Sequence, residues 1–144
     1  MPTNMYGPGD NFDLENSHVL PALIRKFHDA KTQGCDSVTL WGTGSPMREF
    51  LHSDDLGRAC IYLLEHYDDE VAINVGVGED ISIKELAQIL KGVIEFEGEI
   101  HWDRSKPDGT LRKLLDISRI KALGWRAQIG LEEGIRQTYH SFRD

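Results

Sequence analysis

Apolar side chains recur at helical spacing after Ser17, a residue type that often caps helix N-termini. The pattern stops before Gly34, and glycine commonly ends helices. The sequence therefore predicts a first helix between these two residues, and its periodic positions are Leu20, Leu23, Ile24, Phe27 and Lys31.

Four further helices follow from the same analysis. Ser53 or Asp54 is expected to cap the second, whose predicted buried stripe is Leu56, Ala59, Cys60, Leu63, Leu64 and Tyr67. Ser82 and Glu85 have the spacing of a capping box, and the inner face that follows is Leu86, Ile89, Leu90 and Val93. A last helix is marked by Leu131, Ile135, Tyr139 and Phe142, and residues 118–124 predict a shorter one before it.

Short extended segments alternate with these helices. They are predicted at residues 37–41, 48–52, 72–75 and 99–102. Strands that alternate with helices indicate an α/β or α+β unit. Several of these elements have no obvious partner, so they are expected to belong to a sheet whose other strands are absent.

The composition of the 144 residues is that of one globular domain, because 40% hydrophobic residues supply a sizeable core. A net charge of −8 argues against nucleic acid as a partner, since binding it requires a basic surface. Basic residues are nevertheless concentrated between positions 104 and 113, at Arg104, Lys106, Arg112 and Lys113. This cluster predicts either a solvated loop or a local pocket for a phosphate-bearing ligand.

The two cysteines indicate a reducing, cytoplasmic setting, because they cannot form a disulfide framework and have no paired metal-ligand spacing. Cys35 is expected to be exposed and Cys60 to be part of the core. No apolar stretch approaches the roughly 20 residues that span a bilayer, so no membrane partner is expected. No metal site is expected either, because the histidines lack zinc-ligand spacing.

Two motifs of nicotinamide-dependent enzymes are missing. A dinucleotide-binding turn needs G-x-G-x-x-G or a related spacing, and the two G-x-G segments, at Gly42 and Gly76, each lack the third glycine. Tyr-x-x-x-Lys is also absent, because none of the four tyrosines has a lysine four positions later. The chain alone is therefore not expected to bind a dinucleotide tightly.

Two other segments resemble signatures of the extended short-chain dehydrogenase/reductase superfamily. They are Pro2-Thr3-Asn4-Met5-Tyr6-Gly7-Pro8 and Arg48-Glu49-Phe50-Leu51-His52-Ser53-Asp54-Asp55, the second with Ser53 where valine is usual. A narrower resemblance, to the GDP-L-fucose synthase family, covers the whole chain. It rests on residues 11–12 and 16–23, on residues 41–44 and 46–52, and on Ser105-Lys106-Pro107-Asp108-Gly109-Thr110. Leu111 departs from the proline expected there.

This resemblance implies a fold and a domain assignment. Residues 1–144 would be a small mixed α/β substrate-binding subdomain of a Rossmann-type enzyme, with most of the Rossmann half absent. Residues 1–15 would be the loop that meets the nicotinamide and the sugar. The full-length enzyme would be a cytoplasmic homodimer, and the fragment alone would be inactive.

The resemblance also implies a reaction, the conversion of GDP-4-keto-6-deoxymannose to GDP-L-fucose with NADPH. Inverting C3 and C5 beside a ketone requires a base on one side of the ring and an acid on the other. The acid would be His18, because an imidazole can hold or release a proton near neutral pH, and the base would be a cysteine that this chain lacks.

The binding residues implied by the resemblance fall into two groups. NADPH would be held mainly by the missing half and here by Pro2, Thr3, Asn4, Met5 and His18. The GDP-sugar would contact Lys26, Trp41, Arg48, Asp108 and, more weakly, Lys113. From the residues alone, two alternatives stay open: Trp41 as part of the core and Lys26 as a solvated helix lysine.

Two alternative functions remain open at the level of sequence. Another sugar-nucleotide epimerase or dehydratase is one, although a plain C4 epimerase needs no acid at the position of His18. A free-standing nucleotide-sugar-binding module, or an inert assembly subunit, is the other, because such a protein needs no catalytic triad.

Overall fold

The computed structural model describes residues 1–143, in which five helices and seven short strands alternate. The strands are β1 (Asn4–Tyr6), β2 (Ser37–Trp41), β3 (Met47–Arg48), β4 (Phe50–His52), β5 (Ile81–Ser82), β6 (Glu99–Asp103) and β7 (Arg112–Lys113). The helices are α1 (Val19–Thr32), α2 (Ser53–His66), α3 (Ile83–Ile94), α4 (Ser118–Ala122) and α5 (Leu131–Arg143). The mixed α/β class predicted from the sequence is confirmed. Among residues 1–143, no helix is both long and apolar enough to cross a bilayer.

The strands form three small sheets in which parallel pairing predominates. β1 pairs in parallel with β4, and β2 pairs in parallel with β6. The third sheet has β3 at its centre, antiparallel to β5 and parallel to β7. The strand predicted at residues 72–75 is reduced to a single parallel bridge between Pro2 and Val75, and the opening segment, predicted as a loop, contains β1.

Helix α1 presents the predicted apolar face to the core, because Leu20, Leu23, Ile24 and Phe27 are all buried. The predicted N-cap was wrong by one residue. His18 occupies the cap position, and the hydroxyl of Ser17 is buried without a hydrogen-bond partner among the described residues.

Helix α2 corrects two sequence expectations. Its cap is His52, whose Nδ1 accepts a hydrogen bond from the Asp54 backbone N–H at 3.2 Å. Cys60 is exposed, and so is Leu64, with 87% of its surface accessible, although both were predicted to be buried. Each follows a core-facing position by one residue, and one residue rotates the side chain by about 100° around a helix.

The predictions for α3, α4 and α5 are confirmed. The Ser82 hydroxyl accepts from the Glu85 N–H, and the Glu85 carboxylate accepts from the Ser82 N–H, so both halves of the capping box form. Leu86 and Leu90 of α3 and Ile135 of α5 are fully buried in the same cluster as the core face of α1. A second cluster packs α2 and α4 around Leu51, Ala59 and Val75.

The Glu49 carboxylate, between β3 and β4, is completely buried and joins three separate segments. Its Oε1 accepts hydrogen bonds from the backbone N–H groups of Val77 and Gly78, both at 2.7 Å, and its Oε2 accepts from Leu115 N–H at 3.1 Å. Gly76 must be glycine because a Cβ there would collide with this carboxylate. Glu49 thus fixes residues 76–78 and 115 against the strands that carry the candidate site.

The Asp55 carboxylate makes an equivalent connection from α2. It is buried and accepts from the N–H groups of Gln128 and Ile129 and from the Arg58 guanidinium. Burial alone would raise the pKa of Asp55. The hydrogen bonds from Ile129, Arg58 and Gln128, with the charge of Arg58, outweigh it and hold the pKa below the ordinary 3.8.

Replacing Glu49 with alanine should lower the free energy of unfolding by about 3 kcal/mol or more, because three buried N–H groups would lose their acceptor. Glu49→Gln should fall between the wild type and Glu49→Ala, since its amide oxygen can still accept from two of them. Urea unfolding measures both, with the exposed Glu97→Ala as the control. A Glu49→Ala variant as stable as that control would contradict this account.

The stabilisation from Asp55 should be present above the carboxyl's unfolded pKa and be lost as pH falls through its lower folded pKa. Asp55→Asn should therefore be less stable than the wild type at about pH 7, and its stability should depend less on pH below about pH 4. Urea midpoints across this range test the prediction. Asp68→Asn, in an exposed turn, should keep the wild-type pH dependence, and an equally unchanged Asp55→Asn would refute the assignment.

Candidate functional site

The Trp41 indole at the end of β2 lies on the surface, with 63% of the residue exposed. Val38 and Leu40 of the same strand are buried, and Thr39 and Trp41 point the other way because side chains alternate along a strand. Of the two interpretations open at the level of sequence, the core one is wrong. A large exposed aromatic ring is free to stack against a ligand.

Asp108, from a distant part of the sequence, meets Trp41 and Arg48 at this end of β2. Trp41, Arg48 and Asp108 line one open groove of about 200 Å³. The remainder of its lining is small or apolar: Val19, Gly44, Pro46, Ile83 and Pro107. The groove thus combines a flat ring, a guanidinium and a carboxylate around a largely apolar floor.

Two ammonium groups lie against the Trp41 ring. Lys26 Nζ is 4.9 Å from the ring centroid, and Lys106 Nζ is 5.5 Å from it, both within the range of a cation–π interaction. Burial lowers the pKa of Lys26, so its charge is held in partly desolvated surroundings. Neither lysine has a carboxylate within 4.0 Å among residues 1–143. Lys26 Nζ donates to the Thr39 carbonyl at 3.5 Å, and the charge of Lys106 interacts with the nearby Asp103 carboxylate.

From the sequence, Lys106 belongs to the basic cluster and to one family motif, but no contact with a ligand was predicted for it. Nothing in its spacing indicated a contact with Trp41, which lies 65 positions earlier. The structure fixes its turn through Asp103, whose carboxylate accepts from the Ser105 N–H and hydroxyl and whose carbonyl accepts from Lys106 N–H at 3.2 Å. Lys106 therefore lies on a held turn.

The Asp108 carboxylate is bound by Thr43. Its Oδ1 accepts from Thr43 N–H at 2.6 Å and its Oδ2 from the Thr43 hydroxyl at 2.7 Å. These two bonds, the backbone one first, hold the pKa of Asp108 below its ordinary value. Gly42 permits this approach, because its φ is +79° and a Cβ would meet the carboxylate. Each oxygen can accept a second hydrogen bond, so a ligand hydroxyl can still bind.

The Arg48 guanidinium is half-buried and has no carboxylate partner among the described residues. Its Nη1 donates to the Met47 carbonyl at 2.7 Å, which orients the group beside the groove. Lys113 is opposite Arg48 in the β3–β7 register but is exposed and does not line the groove. Arg112 is neutralised by a two-bond ion pair with Asp80, at 2.6 and 3.2 Å. Of the predicted basic cluster, Lys106 approaches the groove through its contact with the Trp41 ring, although it does not line the groove itself.

A second depression, of about 350 Å³, adjoins the start of α1 and contains His18. Met5 lines it as well, together with residues 6–10 and Ser53. The side chains of Thr3 and Asn4 instead donate to the Glu49 carbonyl, at 3.3 and 2.8 Å. His18 and Met5 thus come together, whereas Pro2, Thr3 and Asn4 are not among the residues that line the depression.

Consecutive residues line the two depressions, because Val19 lines the groove and His18 lines the second depression. Beneath the second lies a buried aromatic contact between Tyr6 and His52, whose ring centroids are 5.4 Å apart. Burial, followed by the charge of Asp55, raises the pKa of Tyr6, so this phenol stays protonated. Tyr6 belongs to the first of the two family motifs, but no site role was predicted for it and its segment was predicted as a loop.

Known proteins resemble this chain over nearly its whole length. The family model described as the NAD dependent epimerase/dehydratase family matches residues 1–76. GDP-L-fucose synthase 1 of Arabidopsis thaliana is 55% identical over 139 residues, covering 96% of this chain and 43% of the relative. GDP-L-fucose synthase of Escherichia coli K12 is 49% identical, covering 99% and 47%.

Solved structures extend the similarity to three dimensions. A GDP-L-fucose synthetase from Naegleria fowleri bound to NADP has a TM-score of 0.93 at 34% identity, covering 99% of this chain and 45% of that one. A UDP-glucose 4-epimerase from Thermotoga maritima has a TM-score of 0.82 at 26% identity. These matches confirm the resemblance predicted from the motifs. The chain spans less than half the length of the curated relatives described above.

Proposed function

Because the chain belongs to the NAD-dependent epimerase/dehydratase family, we propose that it is the substrate-binding part of an NADPH-dependent epimerase-reductase. The full-length enzyme converts GDP-4-keto-6-deoxymannose to GDP-L-fucose. The observation that carries the proposal is the groove where Trp41, Arg48 and Asp108 meet, with Lys26 and Lys106 against the indole.

The chemistry of this groove suits a nucleoside diphosphate sugar. Arg48 offers a planar pair of donors for phosphate oxygens, and the two lysines add positive charge beside the indole. The Trp41 face stacks on a flat base or covers the apolar side of a sugar ring. Asp108 accepts a hydrogen bond from a ribose or sugar hydroxyl. Lys113, beside Arg48 in the register, adds a more distant positive charge.

We propose His18 as the acid of the epimerisation. Val19 lines the groove and His18 lines the second depression, which supports a pose with the diphosphate in the groove and the sugar ring beside the imidazole. A base removes the proton from C3 or C5 to give an enolate, and His18 returns a proton to the opposite face of the same carbon. The base implied by the family resemblance is a cysteine outside this chain, and neither Cys35 nor Cys60 lines the two depressions.

NADPH fits this chain only at its nicotinamide end. It supplies the hydride that reduces C4 when it is bound. The glycine-rich segment at residues 76–78 offers no pyrophosphate cradle, because the N–H groups of Val77 and Gly78 already donate to the Glu49 carboxylate. Met5 and His18 border the depression that would receive the nicotinamide. Pro2, Thr3 and Asn4 precede Met5 in the chain and do not line the depression.

The full-length enzyme is proposed to be a cytoplasmic homodimer. The setting is supported by Cys35 and Cys60, which are exposed and unpaired, as suits a reducing compartment. The homodimer follows from the family resemblance of the sequence.

The isolated chain should bind GDP weakly, because the groove is present. It should not bind NADPH detectably, because it offers no pyrophosphate cradle. Arg48→Ala should raise the Kd for GDP about tenfold or more, and Lys106→Met a few-fold. Titration calorimetry measures these constants, with Arg104→Met, in the same loop but outside the groove, as the matched control. Micromolar NADPH binding, or equal GDP affinity in all four proteins, would count against the proposed function.

His18→Gln tests the proton-transfer role in a fusion protein, in which the amino-terminal part of Arabidopsis GDP-L-fucose synthase 1 precedes this chain. Loss of a general acid should slow the epimerisation by about a hundred- to ten-thousand-fold. Product formation and the incorporation of solvent deuterium at C3 and C5 are the measurements. His101→Gln, in exposed β6, should behave as the wild type. Unchanged deuterium incorporation in His18→Gln would remove this residue from the mechanism.

A further inference from the structure

Helix α2 carries a second apolar surface that faces solvent. Gly57, Cys60, Ile61 and Leu64 follow the i, i+3, i+4, i+7 spacing of one helix side, and we call them the outer face. Ile61 is 63% exposed and Leu64 is 87% exposed. The adjacent side, rotated by about 100° around the helix, includes Leu56, Ala59, Leu63 and Tyr67 and packs into the second core cluster.

A surface helix normally has one apolar stripe and a polar remainder, and a helix that is apolar on two sides is usually covered on both. Gly57 adds to this argument. A Cβ there would meet nothing within 4 Å, so no local contact requires glycine. Glycine weakens a helix relative to alanine, but it allows another backbone to approach closely. The outer face is therefore shaped for a packed neighbour.

A second copy of the chain is a poor candidate for that neighbour. A helix of 14 residues is about 21 Å long and about 10 Å wide, so the outer face covers on the order of 200 Å². Stable interfaces between proteins bury about 800 Å² on each partner. The outer face fits better as one part of a larger contact.

The sheets indicate what that larger contact is. α2 runs between β4 and the bridge at Val75, and both β4 and Val75 pair in parallel with the first six residues. Parallel strands occur almost only in larger sheets that are covered by helices on both faces. The relatives are more than twice as long as the segment that this chain matches. The rest of their length can therefore supply further strands and covering helices.

We propose that the outer face of α2 docks against the other half of the family fold, the α/β part of the relatives that this chain does not span. Apolar side chains from a helix of that half cover Ile61 and Leu64 and lie across Gly57. This contact rests on the family assignment and the exposed side chains, and it is independent of which sugar nucleotide is bound.

The test compares one substitution in two settings. Leu64→Glu should leave the thermal midpoint of the isolated chain unchanged, because Leu64 makes little contact there. In the fusion protein defined above, the same substitution should lower the midpoint by about 5 °C or more, since it places a charge in a packed apolar contact. Leu64→Ser gives a milder version of the change, and Glu65→Lys is the matched control on the neighbouring, polar position.

Each alternative gives a different result. An equal loss in the isolated chain would mean that Leu64 belongs to its own core, and an unaffected fusion protein would mean that the outer face stays exposed. Sedimentation that shows an isolated dimer, dissociated by Leu64→Glu, would identify a second copy as the occupant. Any of these results would overturn the proposal, whereas failure of GDP binding would affect only the proposed function.

Discussion

The buried Glu49 carboxylate is the interaction on which the arrangement of the site depends. A charge without water is stable only when hydrogen-bond donors surround it, and here three backbone N–H groups from two distant segments provide them. The same residue's carbonyl holds Thr3 and Asn4. One side chain and its carbonyl therefore bring the start of the chain, the turn after Val75 and the segment before α4 against the strands beside the groove.

Around this fixed centre, the site divides its polar groups into satisfied and available ones. Asp108 and Arg112 are already bound, to Thr43 and Asp80, and they hold the loop between them in place. Lys26, Arg48 and Lys106 have no carboxylate partner in the described part of the chain. The protein as a whole is acidic, but these three side chains leave positive charge beside the groove. Positive charge there favours a phosphate-bearing ligand over a cation.

Sequence patterns predicted the features that depend on neighbouring residues. The core face of α1, the capping box of α3 and the final helix all follow from local spacing. The family motifs contain Trp41, Arg48 and Asp108, which line one groove in the structure. Spacing could not show that Lys106 contacts Trp41 or that Glu49 is buried, because both depend on contacts between distant segments. It also misjudged Cys60 and Leu64, since apolar character alone does not distinguish a core from a docking surface.

The cap position of His18 has a consequence for what its side chain can do. The backbone of His18 is anchored to α1, because the Ala22 N–H donates to its carbonyl at 3.0 Å. Its imidazole makes no capping hydrogen bond to the helix, and it lines the second depression instead. One residue therefore combines an anchored backbone with an uncommitted ring, so the imidazole can turn towards a ligand without disturbing the helix behind it.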